Sequence, residues 1–265
     1  IKERMSYMTK KYIDLNCDMG ESFGVYKLGM DDEVIKLITS ANIACGFHAG
    51  DPNVMDHTVK MAKEYGVGVG VHPGFPDLLG FGRRDMDISR RDLMNLIIYQ
   101  IGALEIFCKK HGVPLQHIKP HGNLNNMADH DLELATNIVD AVLEVKPDLP
   151  IFVKPHSGLH KVAEAKGLPY VLELFADRQY NDDMTLVSRK YPNAVITDPE
   201  VAAERVVRMV TEGKVTTVTG KEIEIQGETI CVHGDTPTAL ELIRVLRKRL
   251  TEAGITIASF VNREQ

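Results

Sequence analysis

Apolar residues recur along this chain in two alternating rhythms. Short β-branched runs read as buried parallel strands. They fall at Tyr12–Asn16, Asn42–Cys45, Gly68–His72, His117–Lys119, Ile151–Val153, Val171–Phe175, Ala194–Ile196 and Thr229–Val232. Between them lie longer segments with apolar residues three and four apart, the period of an amphipathic helix. These are Asp31–Ile38, Pro52–Tyr65, Arg90–His111, Leu132–Val145, Gly158–Lys166, Pro199–Glu212 and Thr236–Ala253. Several ends are marked. Ser89 precedes acidic Asp92, and Asp198-Pro199 and Thr236-Pro237 each place a cap before a first-turn proline. Gly112 and Gly167 stand where helices stop.

Lys214–Gln226 breaks the alternation and reads as a short hairpin turned at Thr219-Gly220. The alternation itself predicts one domain over residues 12–265, an irregular parallel β/α barrel of seven or eight strands with helices outside. An open doubly wound sheet is the competing architecture, but no G-x-G-x-x-G follows the first strand. Residues 1–11 are polar and read as a disordered N-terminus or as residues preceding a start at Met5 or Met8.

Composition narrows the function classes. A chain of 265 residues buries a large core without disulfide or metal staples. Its net charge of −6 and lack of a basic patch argue against a nucleic-acid partner. There is no apolar run long enough for a membrane span, and the polar start IKERMSYMTKKY reads as lacking the apolar stretch of a signal peptide. Cys17, Cys45, Cys108 and Cys231 form no C-x-x-C pair and read as buried thiols in a reducing, cytoplasmic setting.

The chemistry collects behind the strands, where barrel active sites form. Asn16, Asp18 and Glu21 follow the first strand, His48 the second and His72 the third. Lys119 and His121 follow the fourth, Lys154 and His156 the fifth, Asp177 and Arg178 the sixth, and His233 and Asp235 the last. Barrel closure would bring these groups into one cleft, where titratable side chains perturb one another. His48, His72, His121 and His233 are the favoured members; His156 is weaker. His57, His111, His117, His130 and His160 read as structural or solvated. Arg83 and Arg84, in the glycine-rich Gly80–Arg84 loop, would suit a carboxylate or phosphate.

Seven stretches carry a family resemblance: IDLNCDMGESFG, SANIACGFHAGDP, VGVHPGFPDLLGFGRR, YQIGAL, IKPHGNLNNMA, ELFADRQYNDDMTLVSR and ICVHGDTP. In order and in register from Ile13 to the 230s, they resemble the LamB/YcsF family. One departure is KPHGNLNN where the family pattern reads KPHGALYN, which puts Asn123 and Asn125 in the place of a small apolar residue and a tyrosine. The resemblance implies a barrel like that of polysaccharide deacetylases. It also implies one subunit of an ATP-dependent hydrolase, 5-oxoprolinase, that opens the lactam of 5-oxo-L-proline to L-glutamate, with ATP cleaved to ADP and phosphate. Partner subunits B and C are implied with it.

For that reaction Asp18, His48, His72, Lys119, His121, His233 and Asp235 are the expected catalytic residues. Asn16, Glu21, Arg83 and Arg178 are the expected substrate- or ATP-binding residues. No P-loop is present, which favours dependence on the partners. Lys119 stands two residues before His121, and an ammonium there would repel a divalent cation. The expectation is therefore no tightly held protein-ligated metal, with any magnesium arriving on ATP. The alternatives are a metal-dependent deacetylase or amidohydrolase on the same barrel, and a non-catalytic binding component.

Overall fold

The computed structural model describes residues 12–232 and 239–262. Strands β1 (Tyr12–Met19), β2 (Ser40–Ala44), β3 (Gly68–His72), β4 (Leu115–Ile118), β5 (Ile151–Val153) and β6 (Tyr170–Phe175) pair in chain order, all parallel. The short strands β7 (Lys214–Thr216) and β8 (Glu222–Glu224) form an antiparallel hairpin outside the barrel. Strand β9 (Thr229–Val232) pairs with both β6 and β1 and so closes a seven-stranded barrel. The two-residue β10 (Thr256–Ile257) extends the start of β1. Among the described residues no helix is long and apolar enough to cross a membrane.

The eighth expected strand does not form. Ala194–Ile196 makes one antiparallel bridge, Val195 to Arg178, and lies in a loop. Its place is taken because β6 pairs directly with β9. A helix at Gly122–Ala128 was not expected; it has no side-chain N-cap to announce it. Elsewhere the capping chemistry sets the helix ends. Ser89 accepts from the Asp92 amide, Asp198 accepts from Glu200 and Val201, and Gly112 and Gly167 adopt the left-handed conformation.

Alternation along the strands sorts the interior from the exterior. In β1, Ile13, Leu15, Cys17 and Met19 join the apolar layer between strands and helices. Asp14, Asn16 and Asp18 point into the barrel, which is filled by hydrogen-bonded polar groups. At its base Asp14 accepts from Thr39, Ser40 and Thr229. Above it Asn42 donates to Asn16 at 2.8 Å, and His117 donates through Nε2 to Asn42 at 2.6 Å. His117 also stacks on Phe152 with ring centroids 4.0 Å apart. Gly70 makes room for this ring: a Cβ there would lie 2.1 Å from His117 Nε2.

Candidate functional site

The strand C-termini open into one cavity of about 460 Å³. Asp18, His72, Lys119, His121, Asn125, Lys154, Phe175 and Arg178 line it, together with Arg83, Arg189 and Lys190 from loops. Most of these side chains are delivered by a residue at or just beyond a strand end. The floor is charged although nearly closed to solvent, which requires internal pairing.

Lys119 provides that pairing. The residue is 3% exposed, and its ammonium lies 2.9 Å from Asp18 Oδ1, 3.0 Å from Glu173 Oε1, 3.1 Å from Cys231 Sγ and 3.3 Å from Asn16 Oδ1. Burial pushes its pKa down, but the Asp18 and Glu173 carboxylates outweigh that and hold it well above the ordinary lysine value. Burial keeps the Cys231 thiol neutral, so the two carboxylates are the groups that stabilise the ammonium. Asn16 is fully buried and spent on Thr229, Asn42 and Lys119; it does not line the cavity, and it supports the floor from below.

Beside this pair stand three imidazoles and a carboxylate. His72 donates from Nδ1 to the Lys119 carbonyl at 2.6 Å, and His121 donates from Nε2 to the Phe81 carbonyl at 2.8 Å. A carbonyl only accepts, so both donor nitrogens carry hydrogen. The other two, His72 Nε2 and His121 Nδ1, face each other at 3.0 Å. His48 stacks on His121 with centroids 3.7 Å apart and planes within 4°. Its Nε2 is 3.3 Å from Glu21 Oε1, and the same oxygen is 3.7 Å from His121 Nδ1. Asp18 Oδ2 lies 3.4 Å from His72 Nε2. Burial, then His121 and His72, hold His48 well below the usual histidine range. Burial and His72 push His121 down to about 3. Both rings are therefore neutral near pH 7.

The loop above the imidazoles is held under strain. Phe81 has φ of 54°, an uncommon value for a bulky residue, and its carbonyl is the one that fixes His121. Gly82 follows at φ 62°, where a Cβ would lie 2.8 Å from His48 Cβ and 2.9 Å from His121 Cδ2. The two arginines of this loop divide. Arg84 binds Asp77, whose carboxylate also accepts the Gly80 amide, whereas Arg83 lines the cavity over the Phe81 ring. Across the cavity Arg178 donates to the Val187 carbonyl at 2.6 Å. Burial and nearby Arg189 bring its pKa to about 10, so it remains a cation.

Of the residues expected from sequence, Asp18, Glu21, His48, His72, Lys119 and His121 come together, and Arg83 and Arg178 face the same cavity. His233 and Asp235 lie outside the described residues. His156 does not join: it is exposed, and its amide bonds to His160 Nδ1 at 3.0 Å. Two further contributions, Glu173 and Asn42, are not evident from sequence patterns. Glu173 and Asn42 are single polar residues inside strands, and such interruptions are the signal that could have found them. Lys154, placed after the fifth strand by the sequence, reaches the cavity paired with Asp129, and Asn125 lines it from the unforeseen Gly122–Ala128 helix.

Comparison with known proteins points one way. The 5-oxoprolinase A subunit of Clostridium beijerinckii is 54% identical over 245 residues, covering 92% of this chain and 96% of that protein. The 5-oxoprolinase A subunit of Natranaerobius thermophilus is 54% identical over 249 residues, covering 94% and 97%. The crystal structure of a lactam utilization protein from Thermus thermophilus superposes with a TM-score of 0.90 at 45% identity, covering 93% and 99%. A T48 deacetylase bound to substrate shares the barrel alone, with a TM-score of 0.51 at 13% identity, covering 96% of this chain and 91% of that one. The LamB/YcsF family model matches residues 13–265. The chain belongs to the LamB/YcsF family.

Proposed function

We propose that this chain is the A component of a cytoplasmic, ATP-dependent 5-oxoprolinase. In this reading it is a hydrolase of a cyclic amide C–N bond that works with subunits B and C. The observation that carries the reading is the near full-length identity to proteins named as 5-oxoprolinase A subunits. The cavity agrees with it chemically. Arg83, Lys154, Arg178, Arg189 and Lys190 give its wall cationic character suited to a small carboxylate and to phosphoryl oxygens. Asp18 at its floor, beside the imidazoles of His72 and His121, suits proton transfer.

A lactam is a weak electrophile. Transfer of the γ-phosphoryl group to its carbonyl oxygen releases ADP and activates the carbon. Water then adds while a base takes its proton, and the ring C–N bond breaks with a proton delivered to nitrogen. The resulting acyl phosphate takes up a second water to give glutamate and phosphate. Asp18, ion-paired to Lys119 and 3.4 Å from His72 Nε2, is the group assigned to the proton. Lys119 and Arg178 are assigned to the developing phosphoryl charge. His233 and Asp235 keep the catalytic roles read from sequence. ATP is the cosubstrate in this scheme, with magnesium carried on its phosphates.

The test is 5-oxoproline-dependent ATP hydrolysis by this chain alone and with B and C. The expected result is little turnover alone and full turnover with the partners, lost in Asp18→Asn at unchanged assembly. Full turnover by the isolated chain, or an active Asp18→Asn complex, would overturn the reading.

A further inference from the structure

The geometry points to a divalent-cation site of borderline softness, with His72 Nε2, His121 Nδ1 and Glu21 Oε1 as its protein ligands and an open position toward the cavity. No substrate identity is assumed in this, and it departs from the sequence-based expectation of no protein-ligated metal.

Two ring nitrogens, His72 Nε2 and His121 Nδ1, face each other across 3.0 Å. Each ring has its hydrogen fixed on the other nitrogen by a backbone carbonyl, Lys119 O for His72 and Phe81 O for His121. Rings anchored in this way turn their remaining nitrogens toward each other. A contact of this kind is filled either by one shared proton or by a cation that both nitrogens hold. Carbonyls that orient the outer N–H of a ligating histidine are the usual support for a metal ligand. Two nitrogens bound at about 2.0–2.1 Å to one tetrahedral ion stand roughly 3.3 Å apart, close to the spacing seen.

The third ligand is Glu21. Its Oε1 is 3.7 Å from His121 Nδ1, and the ligand atoms of Glu21, His48, His72 and His121 all lie within 4.8 Å of one another. His48 is a poor fourth ligand. Its ring is parallel to that of His121, and in-plane lone pairs on stacked rings do not converge on one ion. Its Nε2 instead lies 3.3 Å from Glu21 Oε1, where an N–H would steer the carboxylate. His48 is therefore a positioning residue. Two imidazoles and one carboxylate leave room for a water or substrate oxygen, the pattern of an open rather than a closed metal site. His72 and His121 both line the cavity, so that position faces it.

The Lys119 ammonium would oppose a cation here if it were bare. Asp18 lies between: Oδ1 is 2.9 Å from the ammonium and Oδ2 is 3.4 Å from His72 Nε2. Glu173 adds a second carboxylate on the ammonium at 3.0 Å. Asp18 and Glu173 flank the ammonium and Glu21 faces the imidazoles, so three carboxylates stand against the one lysine at the floor. On the cavity side the opposing cations are Arg83, Arg178, Arg189 and Lys190, while Lys154 is paired with Asp129.

The experiment uses the full chain, stripped of metal and titrated with cobalt(II) chloride while its visible absorption is recorded. One equivalent should bind, with the ligand-field bands of a low-coordinate site, and zinc chloride should displace it. His72→Gln and His121→Gln should abolish the bands. His48→Leu should weaken binding by about 10–100-fold, as loss of an orienting group does. His57→Gln, on an exposed helix face, should bind like the parent. Should a ligand variant fail to fold, X-ray absorption of the zinc-loaded parent chain decides, and two histidine nitrogens are expected at the ion. Absence of stoichiometric cobalt binding by the folded parent overturns the site. So does binding retained in a folded His72→Gln/His121→Gln double variant, or a zinc spectrum without histidine.

Discussion

Removing a carboxylate from the Lys119 cluster should cost more than any single loss at the cavity rim. Glu173 is fully buried, and Glu173→Gln leaves the ammonium with Asp18 as its carboxylate partner. Breaking a buried pair costs about 3–5 kcal/mol, and the retained amide should keep the loss near the lower end. Urea unfolding with an unchanged m-value is the measure. The pH dependence has a definite sign. The folded-state pKa of Lys119 is raised above 10.5, so its contribution is complete below that value and is lost as pH rises toward the folded value. The parent should therefore lose stability above pH 10.5 more steeply than Glu173→Gln. Asp18 and Lys119 were legible in the sequence because each lies at a strand end. Glu173 and Asn42 were not, since whether a polar residue within a strand faces helices or barrel depends on register.

Asp51 ties two elements together. Its Oδ1 caps the Pro52–Tyr65 helix through the Asn53 and Val54 amides, at 2.8 and 3.0 Å. Its Oδ2 accepts from the Gly24 amide at 2.8 Å and so anchors the loop that follows Glu21. Asp51→Ala should lower stability by about 1–2 kcal/mol, the range for a lost N-cap, and should speed amide exchange at Gly24. The Val54 and Gly24 hydrogen bonds hold the Asp51 pKa below 3.8. Its contribution is thus present above pH 3.8 and fades as pH falls through the folded value, so parent and Asp51→Ala should converge in acid. Helix limits were legible wherever a cap or a terminal glycine marked them, as at Ser89, Gly112, Gly167 and Asp198. The Gly122–Ala128 helix carries no such mark, and Ala194–Ile196 has a strand-like composition but no neighbour free to pair.

At the scale of the molecule, the barrel is closed at one mouth by the C-terminal segment. Thr256 and Ile257 pair with Tyr12 and Ile13, Ala258 donates to the Ile13 carbonyl at 3.0 Å, and Ser259 meets Gln116. Phe260 lies edge-on to Phe152 and His117, with centroids 5.4 and 6.0 Å away. Phe260→Ala should cost about 2 kcal/mol, less than a fully buried phenylalanine because this ring is only partly covered. The melting temperature should fall while cobalt binding at the opposite mouth is unchanged; an altered cobalt spectrum would show that the two ends are coupled. The sequence alone determined the succession of strands and helices, their parallel arrangement and the family, because these follow from local periodicity, capping and long motifs. It also determined which residues stand at strand ends. Only the tertiary structure decided that seven strands close the barrel, that its interior is polar, and that His156 stays outside the site. It also decided that Asp18 separates Lys119 from His72. Closure sets strand stagger, stagger sets which side chains share a layer, and distances between residues a hundred positions apart exist only once that stagger is fixed.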